Sequence, residues 1–297
     1  MNHNYIDNTK LPPPPATQPA FKAPPGSCDC HCHVFGPYDQ FPLAPDRTYG
    51  PPQAPVGTYL AMLDTIGMDR GVLVQASAHG MDNSAMLNAI AQHPDRLRGV
   101  AVVKGSITKP ELIDLYKKGI RGLRFSRLLN PDGTPRYKNT VDVSEMTGLL
   151  PTLRELGMHV QLWIGLEQLP ELEPMIRTAG IPLVVDHIAR LEATVGVENK
   201  HFQQLCQLVK EGYLWVKLTP YRCSTLYPDY PDVKPFHDKL VEANPDRLLW
   251  GSDWPHINMS RDIPDPGYLL DLLAKWTKDQ DIIEKILVKN PAQLYGF

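Results

Sequence analysis

The feature that most constrains the fold is an alternation along the chain. From residue 28 onward, short apolar runs rich in β-forming residues alternate with amphipathic segments. Runs such as Val100–Val103 and Leu183–Val185 are apolar throughout, which is typical of parallel strands covered on both faces. We predict eight strands, at Cys28–Val34, Gly71–Ala76, Arg98–Val103, Gly119–Phe125, His159–Ile164, Pro182–His187, Leu214–Thr219 and Arg247–Ser252.

The segments between these runs have apolar residues at helical spacing. Predicted helices are Tyr59–Ile66, Asn83–His93, Lys109–Lys118, Val143–Leu156, Leu166–Thr178, Lys200–Glu211, Pro235–Ala243 and Pro266–Trp276, with a final amphipathic stretch at Asp279–Leu287. Eight strands alternating with eight helices predict an α/β fold, a single-domain (β/α)₈ barrel of the TIM type. The alternative, a doubly wound open sheet, normally has a glycine-rich dinucleotide loop after its first strand, and this sequence has none there.

Composition and charge exclude several classes of function. The 297 residues are 42% hydrophobic and 21% charged, with a formal net charge of −3, so the composition is that of an ordinary globular protein. This balance gives no support for nucleic-acid binding or a polybasic membrane patch. No apolar run approaches the roughly 18–20 residues of a membrane span. Without a signal-like apolar region, and with five cysteines, we expect a reducing, cytoplasmic location.

Two parts are predicted along the chain, a proline-rich arm at 1–25 and the barrel at 26–297. Seven prolines precede Gly26, and four of them are consecutive at Pro12–Pro15. This composition favours an extended arm, lying on the surface or against a partner subunit of a homo-oligomer. A flexible leader would have the same composition, so both interpretations stay open at this point.

The first predicted strand reads Cys28-Asp29-Cys30-His31-Cys32-His33. Because side chains of a strand alternate between faces, Asp29, His31 and His33 are expected to face the barrel axis. The three cysteines are then expected to pack against the helical layer. A mixed Cys/His zinc cluster is disfavoured, since both faces of one strand would have to converge on the ion.

Four side chains are predicted to converge at the carboxyl ends of the strands, where catalytic groups of barrels concentrate. They are His31, His33, His187 and Asp253. Such a set can hold a divalent metal that activates water. It can equally act without metal, with Asp253 as general base and the imidazoles polarising a carbonyl. The residues alone do not decide between the two.

Arginines occur at the same strand ends, which indicates a substrate that carries carboxylates. The candidate substrate-binding residues are Arg124, Arg127, Arg190 and Arg222, with Tyr49 and Ser77 as further hydrogen-bonding groups. Each arginine could instead pair with a nearby Asp or Glu of the protein. His256 could contact the substrate or orient Asp253.

Several motifs of this sequence resemble those of a known family. They are similar to those of the amidohydrolase superfamily, and within it to the 2-pyrone-4,6-dicarboxylate lactonases and related carboxylate-lactone hydrolases. The resemblance runs from about Pro24 to the C-terminus. The matching segments are Cys28–Pro37, Val74–Gly80, Asp186-His187 with Arg190, Trp250–His256 and Asn290–Tyr295.

The resemblance implies a (β/α)₈ barrel that hydrolyses a small carboxylated lactone by water attack on the ring carbonyl. It implies that Asp253 activates the water, and that His31, His33 and His187 stabilise the carbonyl oxygen or bind metal. The pyrone lactonases require no metal, whereas several related lactonases use zinc, for which the same four residues would be the ligands. The resemblance also implies that Tyr49, Ser77, Arg124 and Arg222 contact substrate carboxylates, with Arg190 near the reacting carbonyl.

Two positions depart from the family pattern and concern substrate recognition. Where the pyrone lactonases have a further arginine beyond the Arg124 match, this chain has Asn130, with Arg127 nearby. A tyrosine expected on the fifth strand is Trp163. The alternatives are therefore a zinc-dependent sugar-acid or muconolactone-type lactonase, a lactone isomerase or a decarboxylase on the same barrel. A non-catalytic polycarboxylate-binding barrel is disfavoured, because a binder needs no base among imidazoles.

Overall fold

The protein is an eight-stranded parallel barrel surrounded by helices, which confirms the predicted fold class. The structure, a computed structural model, describes residues 5–130 and 132–297. Each strand pairs in parallel with the next along the chain. The strands are β1 (Cys28–Cys32), β2 (Arg70–Val74), β3 (Leu97–Ala101), β4 (Ile120–Ser126), β5 (His159–Trp163), β6 (Leu183–Val185), β7 (Leu214–Leu218) and β8 (Leu248–Trp250).

The segment that follows β8 closes the barrel against β1. Asp253 N donates a hydrogen bond to His31 O at 2.7 Å, and His33 N donates to Trp254 O at 2.8 Å. These two bonds place Asp253 directly beside both histidines. Closure of the barrel therefore also brings the first and last strands together at the candidate site.

Most of the helices cover the outside of the barrel with their apolar faces, while the last one packs Leu294 and Tyr295 against the inward-facing residues. They are α1 (Val56–Ile66), α2 (Ser84–Gln92), α3 (Lys109–Lys117), α4 (Leu150–Leu156), α5 (Leu169–Thr178), α6 (Lys200–Lys210), α7 (Lys234–Ala243), α8 (Pro266–Thr277), α9 (Gln280–Glu284) and α10 (Asn290–Tyr295). Local sequence sets their ends: Thr108 and Glu111 form a capping box at α3, and Gly67 ends α1 in the left-handed conformation. Two predicted helices, at Val143–Leu156 and Leu166–Thr178, each begin as a 3₁₀ turn.

Seven of the eight predicted strands end one or two residues earlier than predicted, β6 and β8 among them. β6 stops at Val185 rather than His187, and β8 stops at Trp250 rather than Ser252. After β6 the chain enters a left-handed turn, with φ near +50° at His187 through Arg190. A residue in that conformation cannot continue a strand, so the polar ends of both runs belong to loops at the barrel mouth.

The predicted alternation of faces along β1 is wrong, because the strand contains a β-bulge. Asp29 pairs with Gly71, whereas Cys32 pairs with Leu73, so three steps along β1 match two steps along β2. An extra residue of this kind reverses the side-chain alternation beyond it. Asp29 and Cys32 consequently share the outer face.

The contacts of each side chain follow from the bulge. On the outer face, the hydroxyl of Tyr59 in α1 donates to Asp29 Oδ2 at 3.2 Å. Cys28 and Cys30 instead pack inside the barrel with Val184 and other inward-facing residues. The expectation that all three cysteines lie against the helices therefore holds only for Cys32. Both histidines face inward, as predicted.

The described part of the proline-rich arm, from residue 5, lies on the surface of its own barrel. Asn8 Nδ2 donates to Met259 O at 2.9 Å, and Trp254 Nε1 donates to Pro14 O at 3.1 Å. Farther along, the backbone N–H of Phe21 donates to Asp271 of α8. Residues 1–4 of the predicted arm lie outside the described residues. Among the described helices, none is long and apolar enough to cross a membrane.

Candidate active site

The four side chains predicted to act together do converge at the barrel mouth. His33 Nε2 lies 3.3 Å from Asp253 Oδ1, and His31 Nε2 lies 3.7 Å from the same oxygen. His187 Nε2 approaches the other oxygen, Asp253 Oδ2, at 3.8 Å. All four residues are buried. Three imidazoles therefore surround one carboxylate that has almost no contact with bulk water.

Strained backbone positions two of these groups. Four consecutive residues, His187 through Arg190, have positive φ, and Asp253 has φ 56°. The left-handed conformation costs roughly 1–2 kcal/mol for each residue with a Cβ atom. Such strain persists where the surrounding structure enforces it, and it concentrates at functional sites. The turn after β6 thereby presents both His187 and Arg190 to the pocket.

The two oxygens of Asp253 have different surroundings. Oδ2 accepts hydrogen bonds from Arg222 Nε at 2.6 Å and from the Tyr221 hydroxyl at 2.7 Å. Oδ1 faces His31 and His33. Burial by itself raises the pKa of Asp253, but the Arg222 guanidinium and the imidazoles outweigh it and hold that pKa well below its usual range. The carboxyl group is therefore ionised, with one oxygen directed at the imidazoles.

His256 lies behind Asp253 rather than in the pocket. Its Nδ1 is 3.2 Å from the Tyr221 hydroxyl, which in turn donates to Asp253 Oδ2. Burial lowers the pKa of His256 to about 3, so the ring is neutral. His256 was predicted either to contact the substrate or to orient Asp253, and its position fits the second role. It acts through Tyr221, which was not among the residues predicted for the site.

A second layer of charged side chains lies inside the barrel beneath the histidines. Asp186 Oδ2 accepts from Arg124 Nε at 3.0 Å, from Arg124 Nη2 at 2.9 Å and from Gln161 Nε2 at 2.9 Å. Lys217 Nζ donates to Gln161 Oε1 at 2.6 Å and lies 3.6 Å from Asp186 Oδ1. Burial raises the pKa of Asp186, but Arg124, His31 and Lys217 together hold it well below its usual range.

Sequence reasoning assigned no role to Lys217 or Gln161, although a signal for both was present. Lys217 stands in the otherwise apolar run Leu214–Leu218, and Gln161 stands in His159–Trp163. A polar side chain at an inward position of a barrel strand needs a buried partner. Their shared contact with Asp186 provides that partner.

His31 lies between the two layers. Its Nε2 faces Asp253, and its Nδ1 is 3.3 Å from Lys217 Nζ and 3.3 Å from Asp186 Oδ1. Burial, and then the neighbouring Lys217, lower the pKa of His31 to about 3, so the imidazole is neutral.

A small, narrow pocket opens above the imidazoles. Its wall includes an aromatic pair that sequence reasoning only partly recognised: Tyr137 stacks on Trp163 with ring centroids 4.5 Å apart. Arg124 lies over the Trp163 ring at 4.2 Å. The lining residues are His33, Tyr49, Arg124, Tyr137, Trp163, His187, Arg190, Arg222, Asp253, Ile257 and Asn258.

The predicted substrate-binding arginines differ in what they already bind. Arg124 pairs with Asp186, and Arg222 pairs with Asp253. Arg190 lines the same pocket, and no carboxylate within residues 5–130 and 132–297 pairs with it. Arg127 is not brought into the pocket, because Asp142, at 2.8 Å, and Glu171 bind its guanidinium outside.

The remaining predicted groups lie close to this wall. Tyr49 lines the pocket, and its hydroxyl is buried. Ser77 is buried in a small adjoining cavity, which Arg124 and Trp163 also line. The two hydroxyls are close to each other, and each influences the other through a hydrogen-bonding contact.

The metal alternative can be tested against this geometry. His31, His187 and Asp253 each offer one ligand atom, all within 4.8 Å of one another, so their spacing suits a cation. Their neighbours do not suit one: the Arg222 guanidinium is bonded to Asp253, and Lys217 Nζ is bonded to His31 Nδ1. Two basic groups in contact with the ligand set would repel a dication. The spacing of the three groups therefore suits a cation, whereas the two neighbouring basic groups oppose one.

Comparison with known proteins identifies the family. The amidohydrolase family model matches residues 28–297. A 2-pyrone-4,6-dicarboxylate hydrolase of Comamonas testosteroni is 38% identical over 292 residues, covering 94% of this chain and 93% of that protein. A 4-sulfomuconolactone hydrolase of Rhizobium radiobacter is 39% identical over 280 residues, covering 93% and 92%.

A solved structure supports the same assignment. It is described as a probable 2-pyrone-4,6-dicarboxylic acid hydrolase of Acinetobacter baumannii with citric acid bound. It superposes with a TM-score of 0.77 at 29% identity, covering 92% of this chain and all of that chain. The resemblance predicted from the sequence is confirmed: this chain belongs to the amidohydrolase family.

Proposed function

We propose that this chain hydrolyses a small lactone carrying two anionic groups, without a metal, and that Asp253 is the general base. One observation carries the proposal: the pocket combines an ionised carboxylate, whose Oδ1 faces two imidazoles, with an arginine that has no carboxylate partner among the described residues. A base beside hydrogen-bond donors suits water attack on a carbonyl.

The charge of the site supports an anionic substrate. Four basic side chains, Arg124, Arg190, Arg222 and Lys217, surround two carboxylates, Asp186 and Asp253. The basic side chains outnumber the carboxylates, which favours a substrate that carries negative charge. The names of the two relatives fit this charge, because one substrate is a dicarboxylate and the other carries a sulfo group. Citric acid, bound to the related structure, is also a polycarboxylic acid.

The proposed reaction needs only groups of this chain. Asp253 Oδ1 takes a proton from water while the water oxygen bonds to the ring carbonyl carbon. The electron pair of the carbonyl bond moves to its oxygen, which accepts a hydrogen bond from the His31 imidazole. Collapse of this intermediate breaks the bond between the carbon and the ring oxygen. Asp253 then returns its proton to the ring oxygen, giving the open-chain acid.

Turnover with and without a chelator tests the proposal. We expect the purified protein to open 2-pyrone-4,6-dicarboxylate or 4-sulfomuconolactone, followed by loss of the ring's ultraviolet absorbance, at an unchanged rate in excess EDTA. Loss of turnover on chelation, restored by zinc, would contradict the metal-free reaction. Failure to open either lactone would contradict the proposed substrate class.

A pair of arginine variants tests substrate charge in the same assay. Arg190→Met should raise KM by about 10- to 100-fold, because a hydrogen bond to a charged group contributes roughly 1.5–3 kcal/mol. Arg127→Met is the matched control, since Asp142 and Glu171 occupy that guanidinium outside the pocket. Equal KM values for both variants would remove Arg190 from substrate binding.

A further inference from the structure

A buried lysine lies directly under one of the imidazoles of the site. Lys217 projects from β7 into the barrel and is fully buried. Its Nζ forms a hydrogen bond of 3.3 Å with His31 Nδ1, on the side of the ring away from Asp253. The mechanism above assigns no chemical step to this lysine, so its burial needs another reason.

The neighbours of Lys217 determine the direction of this hydrogen bond. Gln161 Nε2 donates to Asp186 Oδ2 at 2.9 Å, so the other end of that amide, Oε1, faces Lys217 and accepts at 2.6 Å. Lys217 is thus a donor toward Gln161, and it keeps further N–H groups for His31. Burial lowers the pKa of Lys217, and the nearby Asp186 opposes this by favouring the charged form. In its ammonium form the group has donors and no acceptor, so His31 Nδ1 accepts.

A competing partner is present for the same ring nitrogen. Asp186 Oδ1 also lies 3.3 Å from His31 Nδ1, and a carboxylate there would favour the opposite tautomer. However, of these two contacts only the one with Lys217 has full hydrogen-bond geometry, while Asp186 Oδ1 acts on the ring through its charge and proximity and raises the pKa of His31. The geometry therefore favours Lys217 as the partner of Nδ1.

The consequence concerns the opposite side of the ring. A neutral imidazole carries one hydrogen, so acceptance at Nδ1 leaves that hydrogen on Nε2, which faces the reacting centre. We propose that Lys217 is a positioning residue that holds His31 in the Nε2–H tautomer. In this form His31 donates a hydrogen bond to the lactone carbonyl oxygen and cannot offer Nε2 to a metal. The inference rests on the proposed function for the identity of the acceptor, but not for the tautomer.

His33 provides an internal contrast. Its Nδ1 is 2.7 Å from Val74 O, a carbonyl that can only accept, so this ring carries a hydrogen on Nδ1. Two histidines separated by one residue therefore hold hydrogen at opposite nitrogens. His33 serves as the reference in any measurement of His31.

Imidazole ¹⁵N NMR of the wild-type protein tests the tautomer directly. Long-range ¹H–¹⁵N spectra distinguish a protonated ring nitrogen from an unprotonated one, and spectra of His31→Asn and His33→Asn assign the two rings. We expect hydrogen on Nε2 of His31 and on Nδ1 of His33. Hydrogen on Nδ1 of His31 would overturn the proposal. This measurement uses no substrate, so its failure is distinguishable from failure of the proposed function.

Variants of Lys217 test the consequence. In Lys217→Met, His31 is free to donate from Nδ1 to Asp186 Oδ1, which releases Nε2 as a metal ligand. We expect the tautomer to switch and zinc affinity, measured by equilibrium dialysis, to rise at least about tenfold. Lys217→Arg, which keeps a donor, should retain the wild-type tautomer. Lys210→Met, at an exposed lysine of α6, is the matched control.

Kinetics separate positioning from a purely structural role. Lys217→Met should lower kcat by about 10²-fold with little change in KM, because loss of one oxyanion donor costs about 10²- to 10³-fold. Unchanged zinc affinity and kcat in folded Lys217→Met would overturn the proposal. If that variant does not fold, the wild-type spectrum decides.

Discussion

Two buried aspartates at the same end of the barrel have similar partners, but only Asp253 lines the pocket. Asp253 and Asp186 each bind an arginine, and each lies near His31. Around Asp186, the guanidinium, an amide and the lysine occupy the space beneath the imidazoles. Asp253 has Arg222 and Tyr221 on one oxygen only, and it lines the pocket.

The difference shows what makes a buried carboxylate suitable for catalysis. Both pKa values are held low by cations that outweigh burial, so charge state does not distinguish the two acids. What distinguishes them is an oxygen that substrate and water can reach. Asp253 has such an oxygen, whereas Asp186 serves as the counter-ion of Arg124 and Lys217.

The largest expected effect is that of replacing Asp253. Asp253→Asn should lower kcat by about 10³-fold, because a positioned general base contributes roughly 10²- to 10⁴-fold. Steady-state kinetics measure the loss, and circular dichroism checks that the variant folds. Near wild-type kcat in the folded variant would show that another group activates the water.

Replacing Asp186 should lower the stability of the fold more than replacing Asp253 does. Asp186→Asn leaves Arg124 and Lys217 without their carboxylate, and breaking a buried pair costs about 3–5 kcal/mol. Urea unfolding measures the change in the free energy of unfolding. Asp142→Asn is the control, since its pair with the partly exposed Arg127 should contribute less than about 1 kcal/mol. Equal losses for the two variants would mean that burial does not matter here.

The smallest effect sharpens the electrostatic part of the comparison. In the wild type, Asp253 stays ionised as pH falls, so activity should not decline through this group in the ordinary carboxyl range. Arg222→Gln removes the main opposing charge, and burial then raises the pKa of Asp253. The acid limb of kcat/KM should move to higher pH by about one to three units. A full pH profile measures this shift. An acid limb that does not move would show that it reports the titration of a group other than Asp253.

Much of this molecule follows from its sequence because two periodic signals are strong. Apolar runs located all eight strands, and polar residues at their ends located His31, His33, His187 and Asp253. Those predictions needed only the rule that carboxyl ends of parallel strands meet at one rim.

The remainder depended on contacts between residues distant in the sequence. The sequence around Arg127 does not show that Asp142 and Glu171 bind it. The sequence around Arg222 likewise does not show that Asp253 binds it. The bulge in β1 was also hidden, because it is defined only by pairing with β2. Ion pairing and register are properties of the folded chain rather than of a local pattern.

The bulge in β1 also limits how relatives of this chain can be engineered or compared. Deleting one residue between Asp29 and Cys32 would remove the bulge and restore regular alternation. With the bulge, Asp29 faces the helices while His31 and His33 face the barrel interior, which regular alternation over the same residues would not allow. A relative without the bulge can therefore keep both histidines inward only if its first strand has one residue fewer between the outward aspartate and the first histidine.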